Sequence, residues 1–334
     1  MKIAVDAMGG DNAPQAVIDG VLAALKEIKE EIVLVGDKEK INPLLKKAPF
    51  KIPIYQASEV VGMDESPSFA IRKKKDSSIV KAIGLLKNGE VDAVVTAGNT
   101  GACVAAATVY LKLIPGIDRA ALPCPLPTSK GVSLLLDVGA TVDASAENLF
   151  QFAIMGSIYA KKIMEKENPR IGLINIGEES SKGNQTVKKT YELLKDSDLN
   201  FIGNIEGRDI FSGEVDVIIC DGFVGNILIK SIEGFTETLE VLLKKEIDKK
   251  IFPKLGAFFI KDAYKTFKNK LDYASYGGVP LLGIRGYCIK AHGSSSPNAI
   301  KNSILVAEKE VKTGVNKEIQ KYFESNHIAE RTKT

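Results

Sequence analysis

Six apolar runs in this chain stop abruptly at short loops of Gly, Asp, Asn, Ser or Thr, and each loop leads into a helical pattern. They are IAVDAMGGDN (3–12), AVVTAGNTGA (93–102), LLLDVGAT (134–141), GLINIGEESSKGN (172–184), VIICDGFVGN (217–226) and CIKAHGSSSPN (288–298). Strands buried on both faces of a parallel sheet read as such short continuous apolar runs. In open α/β sheets, ligands bind outside the carboxyl ends of the strands, where helix N-termini aim N–H groups at an anion. The six loops therefore predict one shared, polar, anion-binding cleft.

Strand-like and helical patterns alternate along most of the chain. Strands are expected over 3–5, 32–35, 52–55, 91–95, 132–136, 171–174, 215–220 and 281–284. A helix is expected over 12–29, with Asp11 or Asn12 near its cap, Pro14 near its start, and Ile18, Val21, Leu22, Leu25 and Ile28 on one face. Ser66 and Pro67 open another. This rhythm predicts an α/β fold in three αβα layers, with a mostly parallel sheet and a central cleft. At 334 residues the chain is long enough for one large α/β unit or two lobes around a cleft, and residues 1–334 read as a single unit.

One segment breaks the rhythm. Residues 233–271 contain no strand pattern, only two helical ones around a Pro253–Gly256 turn. Phe235, Leu239, Leu242, Leu243 and Ile247 form an apolar stripe on the first arm; Phe259, Ala263, Tyr264 and Phe267 recur on the second. The pattern is a projecting helical hairpin with an apolar tip.

Composition narrows the partners. A net charge of +3, no Trp and 7% aromatic residues argue against nucleic-acid binding and base-stacking platforms. The N-terminal apolar run meets Asp6 after three residues, so no signal-peptide core is expected, and no run approaches the roughly 20 apolar residues of a spanning helix. The expectation is a cytoplasmic protein that can still lie on a membrane surface. Cys103, Cys124, Cys220 and Cys288 are widely spaced and read as buried thiols in a reducing compartment. There is no metal-ligand spacing, dinucleotide GxGxxG, P-loop or G-x-S-x-G elbow.

Several loops carry candidate chemistry. Gly98 and Gly101 let backbone approach a phosphate closely, and Asn99 and Thr100 add polar atoms; alone, the pattern is also that of an ordinary tight turn. Lys290 and His292 end an apolar run, and Gly293, Ser294 and Ser295 lead into a Pro-initiated helix that can present N–H groups to an anion. Lys182 shares a loop with Glu178, Glu179 and two serines; alone, these read as solvated charges. Asp221 and Asn226 can bind a ligand, orient a Lys or His, or cap the next helix. Arg72, Lys73, Lys74 and Lys75 form either a solvated face or a grip for an acidic protein.

Taken in order, DAMGGDNAP (6–14), RKKKDSS (72–78), TAGNTGA (96–102), LLDVGA (135–140), NIGEESSKGN (175–184), DGFVGN (221–226) and KAHGSS (290–295) resemble the PlsX-type phosphate acyltransferases of bacterial phospholipid synthesis over almost the whole chain. The resemblance implies transfer of a fatty acyl group from acyl carrier protein to inorganic phosphate, with no cofactor. It implies catalytic roles among Lys182, Asp221, Asn226 and His292. Substrate-binding roles fall to Gly98, Asn99, Thr100, Gly101, Lys290, Gly293, Ser294 and Ser295. It also implies a fold like isocitrate and isopropylmalate dehydrogenases, a homodimer, and peripheral membrane contact with anionic lipid through Leu255, Phe258, Phe259 and Ile260. Arg72–Lys75 would dock the carrier protein, and a glycerol-phosphate acyltransferase would use the product. Competing readings are a phosphotransacetylase using acyl-CoA, an isocitrate-type dehydrogenase, which lacks its metal-binding carboxylates here, and a non-catalytic membrane scaffold.

Overall fold

The computed structural model describes residues 1–248, 262 and 277–326. Two mostly parallel sheets appear in place of the single sheet expected. The first has the order β10-β11-β4-β1-β2-β3, from β1 (Lys2–Asp6), β2 (Glu31–Gly36), β3 (Ile54–Gln56), β4 (Ala93–Thr96), β10 (Val279–Pro280) and β11 (Tyr287–Lys290). The second has the order β5-β6-β9-β7-β8, from β5 (Pro123–Thr128), β6 (Gly131–Leu136), β7 (Ile171–Ile174), β8 (Phe201–Ile205) and β9 (Val217–Ile219). Among the described strands, only the pairs β10–β11 and β5–β6 are antiparallel. Alternation of strand and helix patterns marks the strands but carries no information on which strands pair.

Helices cover both faces of the sheets. On the six-stranded sheet, α1 (Gln15–Ala24) and α9 (Pro297–Thr313) bury Ile18, Val21, Ile300 and Ile304 on one side. There α3 (Pro67–Lys73), α4 (Ser78–Lys87) and α5 (Thr100–Tyr110) bury Ala70, Ile83 and Ala106 on the other. On the five-stranded sheet, α6 (Ala146–Ile163), α7 (Gln185–Lys195) and α10 (Val315–Ser325) place Phe152, Leu194 and Ile319 in one core. The opposite core takes Ile229 from α8 (Gly222–Asp248). Double coverage is why these strands are continuously apolar: all four residues of β4 and all three of β9 are buried. The chain thus crosses from the first sheet to the second after α5 and returns after α8.

Several caps follow the sequence. Asn99 Oδ1 accepts the Ala102 N–H (2.9 Å), and Ser145 and Asn148 form a reciprocal capping box on α6. Ser296 Oγ accepts the Ala299 N–H (3.3 Å) ahead of Pro297. Other expectations are corrected. Helix 12–29 shortens to Gln15–Ala24: Pro14 occupies the cap with no side-chain bond, and Asn12 Nδ2 turns instead to the Ser294 carbonyl (3.4 Å). The 281–284 strand does not form, since Gly283 takes φ +86° and Leu282 and Ile284 make only isolated bridges to Ala121 and Leu113; the short strand β10 lies just before it, at Val279–Pro280. Strands β5 and β8 were not anticipated.

The first hairpin arm begins earlier than expected, at Gly222, and α8 runs 27 residues to Asp248. Phe235, Leu239, Leu242 and Leu243 on it are exposed. Leu255, Phe258, Phe259, Ile260 and nearly all of the second arm lie outside the described residues. Among the described residues, no helix is long and apolar enough to cross a membrane.

Candidate functional site

All six loops lie at strand carboxyl ends, divided three to each sheet. Those after β1, β4 and β11 are neighbours in the six-stranded sheet, and those after β6, β7 and β9 are neighbours in the five-stranded sheet.

The first three interlock through side chains and backbone. Asp6 Oδ2 accepts from Thr96 Oγ1 (2.7 Å), Thr96 Oγ1 accepts the Gly98 N–H (3.0 Å), and the Asp11 N–H reaches the Gly293 carbonyl (2.8 Å). Gly10 has φ +103°, and a Cβ there would lie 2.8 Å from the Gly293 oxygen; one at Gly9 would lie 2.7 Å from the Gly98 nitrogen. Burial pushes the Asp6 carboxyl up, against the hydrogen bonds of Ser78, Thr96 and Met8. The loop 6–12 therefore shapes its two neighbours.

In the five-stranded sheet the loops after β6 and β9 lock around Asp137. Its carboxylate accepts N–H groups from Leu122 (2.8 Å) and Thr141 (2.6 Å), while burial pushes it up to about 6. A Cβ on Gly225 would fall 1.9 Å from the Asp137 carbonyl oxygen. The loop after β7 stands apart, with residues 178–182 exposed.

Between the two triplets lies a cleft of ≈ 370 Å³. Of the predicted residues, it brings together Thr100, Asn226, Lys290, His292 and Ser295. Lys290 is the last residue of β11, 7% exposed; burial lowers its pKa and its Nζ bonds the Ala291 carbonyl. His292 Nδ1 lies 2.8 Å from Ser294 Oγ and accepts the Ser294 N–H at 3.3 Å. In the neutral ring this places the proton on Nε2. The Ser295 N–H returns to the His292 carbonyl (3.1 Å), so both serine amides hold the histidine in place.

The other predicted residues sit differently. Asn99 spends its side chain capping α5 and clamping the carbonyls of Gly62, Met63 and Glu65 (2.8–3.2 Å). Gly98 packs in the interlock, and Gly101 lies against Pro67, which a Cβ would approach to 2.4 Å. Gly293 accepts from Asp11 and abuts Met63. Asp221 caps α8 through the Val224 N–H (2.8 Å), and Lys182 lies outside the cleft lining, its carbonyl held by Asn175 (3.2 Å). Arg72, Lys73 and Lys75 are exposed, whereas Lys74 turns inward to Glu65 and the Val60 carbonyl.

Sequence reading missed Lys230 and Glu233, which line the cleft from α8; Glu233 Oε1 is 3.9 Å from His292 Nε2. A signal was present: Gly222, Asn226, Ile229, Lys230 and Glu233 recur at helical spacing and form one face. The cleft's other walls are apolar, from Leu122, Cys124, Ile229 and Val279. It therefore combines a cationic and imidazole end with an apolar one.

The fold and this cleft define an α/β protein with a cationic, polar cleft at the strand carboxyl ends. The chain matches the family model described as "Fatty acid synthesis protein" over residues 1–318. The phosphate acyltransferase of Geotalea daltonii is 49% identical over 330 residues, covering 98% of this chain and 95% of that protein. The chain belongs to this family of PlsX-type phosphate acyltransferases. Among solved structures, a phosphotransacetylase from Streptococcus pyogenes superimposes with TM-score 0.62 at 18% identity, over 93% of this chain and 94% of that one. A 4-hydroxythreonine-4-phosphate dehydrogenase from Klebsiella pneumoniae does so with TM-score 0.52 at 12% identity, over 93% and 98%. At these identities the two show a shared fold.

Proposed function

We propose that this acyltransferase takes a fatty acyl group from the thioester of acyl carrier protein and passes it to inorganic phosphate in the inter-sheet cleft. The acyl phosphate then feeds a glycerol-phosphate acyltransferase of phospholipid synthesis. The observation that carries the reading is the pairing of buried Lys290 with His292 beside apolar walls.

Phosphate is already a competent nucleophile near neutral pH. Its oxygen attacks the thioester carbonyl carbon, the C–O bond forms, the C–S bond breaks, and the thiolate leaves with a proton. Lys290 balances the charge of the phosphate and the developing oxyanion. His292 Nε2 faces the cleft with its Nδ1 fixed; its N–H hydrogen-bonds the leaving sulfur, and the proton that sulfur takes up is the one monohydrogen phosphate loses on acylation. Thr100, Ser295 and Asn226 orient the reacting groups. Ser294 acts by fixing the ring, and Gly98, Asn99, Gly101 and Gly293 act by holding the loops in register. Lys182 and Asp221 act from the five-stranded side, Asp221 through the α8 N-terminus that presents Asn226.

Arg72, Lys73 and Lys75 give an exposed cationic face for the acidic carrier; reversing their charge should raise KM for the carrier substrate, and an unchanged KM would leave them a solvated face. The exposed stripe Phe235–Leu239–Leu242–Leu243 supports a homodimer in which two hairpins (233–271) pack as a four-helix bundle. Leu255, Phe258, Phe259 and Ile260 would then meet anionic lipid, which flotation of a Phe258→Ser/Phe259→Ser variant on liposomes tests. The whole of 1–334 forms one catalytic unit, layered as in isocitrate and isopropylmalate dehydrogenases.

The decisive experiment is phosphate-dependent formation of acyl phosphate from acyl carrier protein. Absence of product overturns the reading, and a clear preference for acyl-CoA turns it toward a phosphotransacetylase.

A further inference from the structure

A second cavity of ≈ 450 Å³ adjoins the cleft. Val279 lines both, and β5 divides them: Leu122 and Cys124 face the cleft, while Pro123 and Pro125 face the second cavity. The wall between them is the meeting of two sheet edges, β5 and β10. Val132, Leu134, Ile163, Met164 and Val306 give the far walls an apolar stretch, and Tyr159, Glu310, Lys166 and Lys309 also line the space.

A bare sheet edge is a poor surface for hydrocarbon, because its free N–H and C=O groups would lose water without gaining a partner; here the edge is relieved of its donors, though not of its carbonyls. This edge has a particular remedy. Along a strand, N–H groups of alternate residues point the same way, and β5 pairs with β6 on one side only. The Leu122 N–H points toward the β6 side, to Asp137 (2.8 Å), and the Ala121 N–H points away, to Leu282 (3.1 Å). The outward positions that follow Ala121 are Pro123, Pro125 and Pro127, none of which has an N–H to strand. Across the junction, Pro280 of β10 also lines the cavity and also lacks one.

Glu310 is compatible with an apolar occupant. It is 1% exposed, and neither carboxyl oxygen has a hydrogen-bond partner of ordinary geometry among the described residues. Its carboxyl is already dry, so seating a methyl end against it removes no water. Burial pushes it up to about 8, against the Tyr159 hydroxyl and the Lys309 charge, so it is mostly neutral at pH 7.

We propose that this proline-edged cavity receives the distal methylenes of the acyl chain, which passes Val279 from the cleft. The inference rests on the acyl-transfer reading above. The chain length accepted is then set by the distance from Lys290 and His292 to the wall formed by Tyr159 and Glu310.

The test compares C8 and C16 acyl thioesters of acyl carrier protein in the wild-type protein and in Val306→Phe. The C16-to-C8 ratio of kcat/KM should fall at least about tenfold, as exclusion of two methylenes already implies. An unchanged ratio overturns the proposal. Should Val306→Phe lose turnover with both substrates, the wild-type protein decides, using a C16 thioester with a diazirine at its methyl end. Photolabel on residues 159–164 or 306–310 supports the cavity, and label confined to other residues overturns it. Absence of acyl phosphate at both lengths in the wild type overturns the acyl-transfer reading instead, a distinct result.

Discussion

The loops after β11 and β7 are written with the same ingredients, a lysine, adjacent serines and glycines, yet the fold uses them oppositely. Lys290 is the last strand residue, in register with Thr96 of β4, and is buried at the cleft with its pKa lowered. Lys182 comes eight positions after Ile174 ends its strand, and is exposed. Strand position rather than loop composition decides which lysine meets low dielectric. A cation at the end of a central strand is desolvated by the sheet itself, whereas one in mid-loop keeps its water until something covers it.

The comparison can be broken most directly at Lys290. Lys290→Met should lower kcat/KM by about 10²–10³-fold, as for loss of a preorganised charge contact. Its melting temperature should hold or rise, because an apolar side chain replaces a buried cation. Retained turnover would remove Lys290 from the chemistry. His292→Ala should cut kcat by about 10²-fold, the lower range for general acid–base work; a loss below tenfold would assign the hydrogen bond to sulfur to another group. Lys182→Ala should cost at least about tenfold, or about 1.4 kcal/mol of barrier. A loss larger than that of Lys290→Met would mean that the exposed loop closes over substrate, reversing the contrast; near wild-type rates in both the Lys182 and His292 variants would sink their shared role.

The smallest expected effect lies away from turnover, at Glu310. Its folded pKa of about 8 exceeds the ordinary 4.5, so the folded state holds the proton more tightly than the unfolded one. That contribution is present below about pH 4.5 and is lost as pH rises through about 8. Glu310→Gln should therefore flatten the decline in melting temperature between about pH 4.5 and 8. An identical decline in the variant would place the titrating group elsewhere.

The six loops, most strands and the buried cysteines were legible because apolar runs with abrupt polar ends are the direct print of double-covered strands. Sheet membership was not, since Leu136 and Val95 read alike although they belong to different sheets. Strand β5 was hidden by its own prolines, which lower strand propensity yet suit an edge. Strand β8 was hidden by Gly203, at φ +106°, and Asn204 in its middle. In the site, Lys290, His292, Asn226, Thr100 and Ser295 were legible from loop chemistry. Glu233 was not, because it sits eleven residues into α8, where the apolar stripe of the hairpin dominates the pattern. Asn99 reads as a ligand group but is consumed by four local hydrogen bonds, a demand visible only once residues 62–65 are folded beside it.

The alternating prolines of β5 also bear on strand addition between copies of this protein. A sheet grows by docking a new strand onto free amide donors, and the five-stranded sheet ends on β5, whose outward positions offer none at 123, 125 and 127. The same three residues thus leave that margin without amide donors for an added strand along β5.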